Sequence, residues 1–507
     1  MNTKINILHE DCPPRADSIL QSLRSFGYDT ATAIADLIDN SISAKSKNIW
    51  VIQKYSRADS WIAILDDGAG MSEKELREAM RMGSKNPLEE RDITDLGRFG
   101  LGLKTASLSQ CRRLTVRSKR NTKVFTRCWD LDVVSETKNW SLLKKAYNKS
   151  EERLKSLKNV ENGTIVLWEN MDRVVGEFED MDEHSAKESF QKIIQGVNKY
   201  ISMVFHRFIG FGGKLNIYVC TPDTIGKDNI KIKGWDPFVI DHKATNSLPE
   251  EPLSKTDIIM KGYVLPHFSK LNDLEHQNAG GMYGWNAHQG FYLYRNKRLI
   301  VPGTWLSTGY KKEDHYKLAR IQIDIPNTED NRWKIDVTKS EVLPPADIAA
   351  KLKRYAMMVR KEAVKVYRFR GKTISRTSSL TNLLIWKIKT LRNKTKYYID
   401  KKHPLVDSII NKTGGNKKYI NQLLKLVQET IPIPAIVVNN SADPESHEYE
   451  HTLEDFEDLG IKKKFLDIIK KYEKDGLNHD EAVKRAMETD PFDKIPEILA
   501  YVEDRNE

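Results

Sequence analysis

The sequence predicts an α+β fold, in which two mixed helix-and-sheet regions are followed by a mainly helical C-terminal region. Up to about residue 345, short apolar runs bounded by turn residues alternate with longer segments of helical periodicity. Beyond that point helical patterns predominate. A chain of 507 residues is also long enough to form several hydrophobic cores.

The first region predicts helices packed on a sheet. Helical periodicity covers residues 15–45, and another helix begins after Ser72, where Glu75 completes a capping box. A long helix is predicted over "SFQKIIQGVNKYISMVFHRFIG". Strands are predicted at "NIWVIQKYS", "SWIAILDDGAGM", "RRLTVRSKR", "KVFTRCWDLD", "NGTIVLWENM" and "KLNIYVCT".

A second α+β region follows, with strands predicted at "GFYLYRNKRLIV" and "LARIQIDIP". Next comes a basic segment that we expect to be helical, and then a mainly helical end interrupted by "IPIPAIVVNNSADPES", which is typical of a linker. The predicted division of the chain is into residues 1–215, 216–345, 346–402 and 403–507.

Charge is distributed unevenly along the chain. The net charge is +11, but residues 351–402 contain 17 Lys and Arg against 2 Asp and Glu, whereas residues 441–507 contain 10 against 20. Basic clusters with interleaved aromatic residues favour nucleic-acid binding. A solvated helical face, or a contact for the acidic tail, is the alternative. The interleaved aromatic residues are Tyr355, Tyr367, Trp386, Tyr397 and Tyr398.

Several functional classes are disfavoured by the sequence. No apolar run approaches the roughly 20 residues that cross a bilayer, and the N-terminal stretch lacks a signal-peptide layout. The four cysteines have no C-x-x-C spacing and are interpreted as reduced thiols, so we expect a cytoplasmic protein without membrane contact. "HEYEH", at His447–His451, matches a zinc-protease pattern, but it lies in an acidic segment without an apolar face, and we interpret it as a chance match.

The helical segment at residues 15–45 contains "DLIDN", in which Asp36 and Asn40 lie one turn apart and share a face. The amide oxygen of Asn40 suits Mg²⁺, which takes oxygen ligands. The carboxylate of Asp36 could orient or deprotonate a water that attacks a γ-phosphate. Taken alone, such a pair is more often a satisfied structural contact.

Two glycine-rich stretches follow. "DDGAG", from Asp66 to Gly70, ends an apolar strand, where an acid can accept a hydrogen bond from an exocyclic amine. "GRFGLGLKTASLSQ" places three glycines and Lys104 before a helical run, where free backbone N–H groups can hold phosphate. Taken singly, the first is also compatible with a simple turn and the second with a flexible loop.

In this order, the three motifs resemble the ATP-binding (Bergerat) domain of the GHKL superfamily. Its members include gyrase B, MutL, the ninety-kilodalton heat-shock chaperone, histidine kinases and MORC proteins. The resemblance covers roughly residues 15–215. A later stretch, "RWKIDVTKSEVLPP", resembles the transducer segment of MutL and MORC proteins, and it implies an S5 domain 2-like transducer for residues 216–345.

The resemblance implies a role for each matched residue. Asp36 would activate the attacking water, Asn40 would bind Mg²⁺, and Lys339 of the transducer would neutralise charge on the transferring phosphoryl group. Asp66 would read the adenine amine. The implied nucleotide-binding set is Asn40, Asp66, Gly68, Gly70 and Met71, with Ser84 and Lys85 in the lid segment, Gly97, Gly100, Leu101, Gly102 and Lys104 around the phosphates, and Thr164 on the adenine side.

One departure from the family pattern bears on turnover. Most hydrolysing members have Glu where Asp36 stands, and Asp is one methylene shorter. We therefore expect an ATPase with slow hydrolysis.

The function implied is that of a MORC- or MutL-like switch. ATP and Mg²⁺ would close the lid and drive homodimerisation, and the dimer would act on DNA through residues 351–402 or on a DNA-associated partner protein. Prokaryotic phage defence is one such setting, by analogy with compact relatives. A chaperone-like ATPase with protein clients, or an ATP-sensing scaffold with little turnover, is the alternative.

Overall fold

The computed structural model describes residues 12, 14–25, 27–83, 102–178, 180–210, 212–226, 229–253, 258–330, 332–335, 342–373, 385–391, 394–412, 416–431, 461–487, 489, 492 and 498. The chain divides into two compact units, Met1–Tyr367 and Arg368–Glu507. Among the described residues, no helix combines the length and the apolar character needed to cross a membrane.

The described helices are α1 (Ala16–Leu23), α2 (Thr30–Ser43), α3 (Glu73–Met80), α4 (Gly102–Leu108), α5 (Leu131–Thr137), α6 (Asn148–Arg153), α7 (Asp172–Val175), α8 (Glu183–Val204), α9 (His206–Ile209), α10 (Asp273–Gly280), α11 (Gly284–Ala287), α12 (Ala349–Thr373), α13 (Pro404–Lys412), α14 (Lys417–Glu429), α15 (Ile461–Lys474) and α16 (His479–Met487). Short 3₁₀ turns lie at Lys155–Asn159, Gly176–Phe178, Phe268–Lys270, Leu306–Thr308, Asp314–Tyr316, Asn327–Glu329 and Ala346–Ile348.

The described strands are β1 (Asn48–Lys54), β2 (Trp61–Asp66), β3 (Arg113–Arg120), β4 (Lys123–Asp130), β5 (Gly163–Glu169), β6 (Asn216–Cys220), β7 (Ile230–Lys231), β8 (Asn246–Ser247), β9 (Glu251–Pro252), β10 (Ile259–Val264), β11 (Gly290–Arg295), β12 (Arg298–Thr304), β13 (Ala319–Ile325), β14 (Trp386–Leu391) and β15 (Lys394–Ile399). Together with the helices they confirm the predicted α+β class.

The first sheet has seven strands in the order β4-β3-β5-β2-β1-β6-β7, and only the β1–β6 pair among its described neighbours is parallel. β2 is central and buried along its whole length. Ile62 and Ile64 pack into the core shared with α2 and α8, while Trp61, Ala63 and Leu65 pack into a second cluster on the opposite face. This alternation places the last residue of β2 on the face of α2.

The second sheet has the order β12-β11-β13-β10-β8, with β9 also paired to β10. One face, through Tyr292, Tyr294 and Leu299, joins the core of the first sheet. The other face packs against α12, whose Tyr355 and Val359 are buried in a separate core. The two sheets of the unit Met1–Tyr367 thus share a core, in which β12 contacts α8, while the predicted boundaries at residues 215 and 345 stay predictions.

The unit Arg368–Glu507 contains the β14–β15 hairpin and helices α13 to α16. Phe465 and Ile468 of α15 and Ala482 of α16 form its core with Leu405. The predicted linker falls almost entirely on residues outside the described ranges, as does the segment His447–His451.

The prediction of a helical segment up to residue 402 is wrong for its last part. Helix α12 ends at Thr373, and the strands Trp386–Leu391 and Lys394–Ile399 pair antiparallel, with Trp386 opposite Ile399. In this stretch Lys alternates with Trp, Ile, Thr and Tyr, so β-branched and aromatic residues recur every second position. That period favours a strand over a helix.

Candidate active site

Helix α2 carries the two polar side chains at the centre of the predicted site. It begins after Asp29, whose side chain accepts the backbone N–H of Thr32 at 2.7 Å and so caps the helix. Asp36 is held in the protein interior and is 4 % exposed. Asn40, one turn later, is exposed. The helix therefore presents a fixed carboxylate and an accessible amide on neighbouring positions of one side.

Asp66 ends β2 and meets α2 directly. Its Oδ2 accepts a hydrogen bond from the Ser41 hydroxyl at 3.1 Å. Its Oδ1 accepts the backbone N–H of Gly68 at 2.9 Å and that of Thr164 at 3.3 Å. The Asp66 carboxyl is thus fixed between α2, the turn after β2, and β5.

Burial raises the pKa of the Asp66 carboxyl above its ordinary value, although the hydrogen bonds from Gly68 and Ser41 act in the opposite direction. Desolvation disfavours a charged carboxylate, so every additional N–H donor that reaches it is stabilising. An exocyclic amine such as that of adenine supplies this kind of donor. The environment of Asp66 is therefore compatible with the base-reading role that the resemblance implies.

Thr164 contacts this part of the site through its backbone, and its expected role on the adenine side stays a prediction. Its backbone N–H, rather than its hydroxyl, contacts Asp66, while its Oγ1 lies 2.9 Å from the Ser118 hydroxyl oxygen. The Ser118 oxygen also accepts the backbone N–H of Met71 at 2.7 Å. Thr164 and Met71 are therefore joined through Ser118, a residue that the sequence analysis did not single out.

The turn after β2 needs glycine at two positions. Gly70 has a φ of +65°, and a Cβ there would lie 2.1 Å from the backbone oxygen of Lys119. A Cβ at Gly68 would lie 2.7 Å from Ser46 Oγ and 2.8 Å from Ala44 Cβ. Both glycines let the chain pass closely between α2 and the β3–β4 turn, which brings the backbone of this turn beside Asp66.

Asp36 lies between two groups from different parts of the fold. The Tyr28 hydroxyl donates to its Oδ2 at 2.9 Å, and Arg298 Nη2 lies 3.8 Å from its Oδ1. Burial, followed by the charge of Asp36, raises the pKa of the Tyr28 hydroxyl, which stays a hydrogen-bond donor. Gly102, the first residue of α4, is close by, since a Cβ there would lie 3.4 Å from Asp36 Oδ2.

Lys104 is hydrogen-bonded at the end of α3. It lies on α4 with 1 % of its surface exposed, and its ammonium donates to the carbonyl oxygens of Ala79 at 3.0 Å and Arg81 at 2.8 Å. These carbonyls end α3, where a cation is favourable. The phosphate contact implied for Lys104 stays a prediction, and the structure gives its ammonium a structural contact.

The remaining implied residues are outside the described ranges. They are Ser84, Lys85, Gly97, Gly100, Leu101 and Lys339. The structure thus brings together Asp36, Gly102 and Asn40 around one side of α2, and Asp66, Gly68, Gly70, Met71 and Thr164 around its end.

The sequence analysis missed Tyr28 and Arg298, and the local sequence carries little signal for either. Tyr28 precedes the cap of α2 and is apolar enough to be assigned to the core. Arg298 follows Asn296 and Lys297, which have φ values of +47° and +71° and form the tight turn between β11 and β12. A cation beside a hairpin turn is normally solvated, whereas Arg298 is 1 % exposed.

The described oxygen donors fit a magnesium-bound nucleotide. Asn40 offers an amide oxygen, the donor type that Mg²⁺ prefers, one turn from the carboxylate of Asp36. At the other end, the buried carboxyl of Asp66 accepts the backbone N–H of Gly68 in the closely packed glycine turn.

The predicted nucleic-acid segment is only partly accessible. Tyr355 is buried and its hydroxyl donates to the carbonyl of Pro249, and the Tyr367 hydroxyl donates to Asp314, so both anchor α12 to the second sheet. Trp386, Tyr397 and Tyr398 of the hairpin are exposed. Basic residues also remain exposed on the outer side of α12, and we call Lys353, Arg354, Lys361 and Lys365 the basic stripe.

Comparisons with known proteins agree with this geometry. Residues 28–164 match the family described as histidine kinase-, DNA gyrase B-, and HSP90-like ATPase. The DNA mismatch repair protein MutL of Rickettsia bellii (strain OSU 85-389) is 31 % identical over 98 residues, or 19 % of this chain and 16 % of that protein. Protein MICRORCHIDIA 4 of Arabidopsis thaliana is 30 % identical over 123 residues, or 23 % of this chain and 14 % of that protein.

The family match covers the segment that contains Asp36, Asn40 and Asp66, and the chain spans about a sixth or less of the length of the two relatives. The chain therefore carries, at residues 28–164, a domain of the GHKL superfamily, and it is related to the MORC- and MutL-like ATPases.

Proposed function

We propose that this protein binds Mg²⁺–ATP on α2 and hydrolyses it slowly as a molecular switch that acts on DNA. The observation that carries the proposal is the convergence on one helix, where Asp36 and Asn40 lie one turn apart and Ser41 donates to Asp66. A carboxylate for water, an amide oxygen for the metal and a carboxyl for the base are thereby held at a fixed spacing.

In the proposed reaction, Asp66 accepts the adenine amine and orients the base, with Gly68 and Gly70 beside it. The Asn40 amide oxygen would hold Mg²⁺, which when bound would supply positive charge against the phosphates. Asp36 orients the attacking water and accepts its proton. Because the Asp36 carboxylate is fixed by Tyr28 and has one methylene fewer than Glu, the water must approach closely, and this supports slow turnover.

Lys339 and Lys104 are proposed to complete the phosphate side. Lys339 would come from the second sheet region and contact the γ-phosphate, so that its position would differ between the ATP and ADP states. Lys104, now on the carbonyls of Ala79 and Arg81, would add positive charge near the lid glycines, and its exchange of partners would couple lid position to nucleotide.

DNA is the proposed object of the switch, and ATP-driven homodimerisation is its proposed mode of action. The name of the MutL relative refers to DNA mismatch repair. In this chain the basic stripe of α12 and the exposed aromatic residues of the β14–β15 hairpin provide charge and stacking surfaces. Phage defence is the biological setting we propose, by analogy with compact prokaryotic relatives.

The test is purified protein with ATP, ADP or a non-hydrolysable analogue, with phosphate release and molar mass measured in the presence and absence of DNA. We expect slow phosphate release, dimers with ATP and the analogue, and monomers with ADP. The variant Asp36→Asn should bind ATP and release no phosphate. Client-protein binding without DNA affinity would instead favour a chaperone-like ATPase, and ATP binding without turnover would favour a sensing scaffold.

A further inference from the structure

We propose that Arg298, contributed by the second sheet, is a positioning residue for Asp36 and ties the nucleotide site to the β11–β12 hairpin. The inference deepens the proposed function and rests on it. Arg298 is the first residue of β12. This strand belongs to the second sheet, whereas α2 packs on the first. Its guanidinium nevertheless reaches two carboxylates of α2.

The guanidinium is anchored by one carboxylate and faces the other. Arg298 Nε donates to Asp39 Oδ1 at 2.9 Å and lies 2.8 Å from Oδ2, so Asp39 fixes the plane of the group. With this anchor in place, Nη2 lies 3.8 Å from Asp36 Oδ1. The Phe205 ring, 5.8 Å from Arg298 Cζ, covers it where α8 ends.

All three charged groups are buried, and this gives the arrangement its strength. The side chains of Arg298 and Asp39 are each 2 % exposed and that of Asp36 is 4 % exposed. Burial acts to lower the pKa of the guanidinium, but the carboxylates of Asp39 and Asp36 prevail and raise it. Arg298 therefore stays charged, and unscreened attraction holds the Asp36 carboxylate toward it.

Two opposed contacts define the orientation of Asp36. Tyr28, which precedes α2, binds Oδ2, while Arg298 attracts Oδ1. A carboxylate held at both oxygens has one orientation in which to accept a proton from water, and positioning of this kind accounts for large factors in rate. The same contact makes the coupling reciprocal, because a phosphate that approaches Asp36 also changes the field at β12.

The test compares two double variants. Each removes a buried Arg–Asp pair whose arginine lies on the β11–β12 hairpin. Arg298→Met with Asp39→Asn removes one positive and one negative charge together, so the net charge around Asp36 is unchanged while its guanidinium contact is lost. The matched control is Arg295→Met with Asp330→Asn, because Arg295 Nε donates to Asp330 Oδ1 at 2.7 Å and the two side chains are 5 % and 9 % exposed. Thermal unfolding, ATP affinity, kcat and amide hydrogen exchange are measured for both.

We expect kcat to fall at least about tenfold in the Arg298 and Asp39 variant, with ATP affinity retained and unfolding temperature close to that of the control. A non-hydrolysable analogue should slow amide exchange in residues 290–304 of the wild type and of the control, and not in the Arg298 and Asp39 variant. The exchange measurement does not depend on turnover.

Unchanged kcat together with retained protection of residues 290–304 would overturn the inference and leave the proposed ATPase intact. Parallel loss of affinity and unfolding temperature beyond the control would reduce Arg298 to a structural role. Failure of the wild type to release phosphate would instead overturn the proposed hydrolysis, and the exchange comparison would then decide on Arg298 by itself.

Discussion

Asn40 is an exposed side chain on a helix that is otherwise largely buried, so its replacement separates binding from folding. Asn40→Ala should change the free energy of unfolding by less than about 0.5 kcal/mol. The loss of the amide oxygen should nevertheless abolish Mg²⁺-dependent ATP binding. Calorimetric titration with ATP, with and without Mg²⁺, measures this. Unaltered affinity would remove Asn40 from the proposed site.

Tyr28 donates to the Asp36 carboxylate from a buried position, and the hydroxyl can be removed while the ring stays. Tyr28→Phe should destabilise the protein by about 2 kcal/mol, because a hydrogen bond to a charged group is lost. Since Asp36 loses a hydrogen bond that orients its carboxylate, kcat should fall while ATP affinity holds. Phosphate release and chemical denaturation report the two effects. A fall in affinity equal to that in kcat would contradict the assignment.

At the scale of elements, the turn between β2 and α3 depends on the absence of a side chain. Gly70 and Gly83 have nearly the same φ, +65° and +66°, but a Cβ would lie 2.1 Å from Lys119 O at the first position and within 4 Å of no atom of the described residues at the second. Gly83→Ala should therefore lower the free energy of unfolding by only about 1 kcal/mol, which is the cost of the left-handed backbone conformation for alanine. Gly70→Ala should cost several times as much and weaken ATP binding.

Thermal unfolding and ATP titration of the two glycine variants side by side provide the measurement. Equal destabilisation would show that the turn can move away from Lys119. It would also show that the close contact between Gly70 and Lys119 does not shape the part of the site around Asp66.

The elements also show where sequence patterns were sufficient. The capping box of Ser72 and Glu75 is present as predicted, since its two hydrogen bonds involve residues three apart. The helical assignment of residues 386–391 and 394–399 is wrong because a high density of Lys masked the two-residue period of paired strands. Local hydrogen bonds are encoded locally, whereas strand pairing needs a partner segment.

At the scale of the whole molecule, two buried histidines make stability sensitive to acid. Burial lowers the pKa of His206 to about 4 and that of His288 to about 3. In the unfolded chain both take up protons near pH 6.5. Stability is therefore complete above that pH, and it falls as the pH drops from about 6.5 toward 4, by about 1.4 kcal/mol per pH unit for each histidine.

Unfolding temperature recorded between pH 7.5 and about pH 5 checks this expectation. The variant His288→Gln should have a shallower decline than the wild type, since one proton-uptake site is removed from the unfolded chain. If the unfolding temperature of the variant falls as steeply with pH as that of the wild type, groups other than His288 control the loss of stability in acid.

The basic stripe on α12 is part of the proposed DNA-binding surface. Replacing Lys353, Arg354, Lys361 and Lys365 together by Gln should weaken DNA binding and flatten its dependence on salt, because fewer counterions are released. Fluorescence anisotropy over a series of salt concentrations gives the slope. An unchanged slope would place the DNA footprint elsewhere in the protein.

The sequence by itself determined the α+β class, the motifs that contain Asp36, Asn40 and Asp66, and their order along the chain. These features depend on helical spacing, strand alternation and glycine turns, which act over a few residues. The family match at residues 28–164 confirms the superfamily that those motifs indicated.

Only the tertiary structure decided which groups surround Asp36. Arg298 and Asp39 are 259 residues apart in the chain, and no periodicity or local motif links them. Their contact exists because the second sheet packs one face on the core of the first and so buries a charge that its neighbours in sequence would leave in water. Long-range packing of this kind fixes the environment of a site, while local sequence fixes which residues are available to form it.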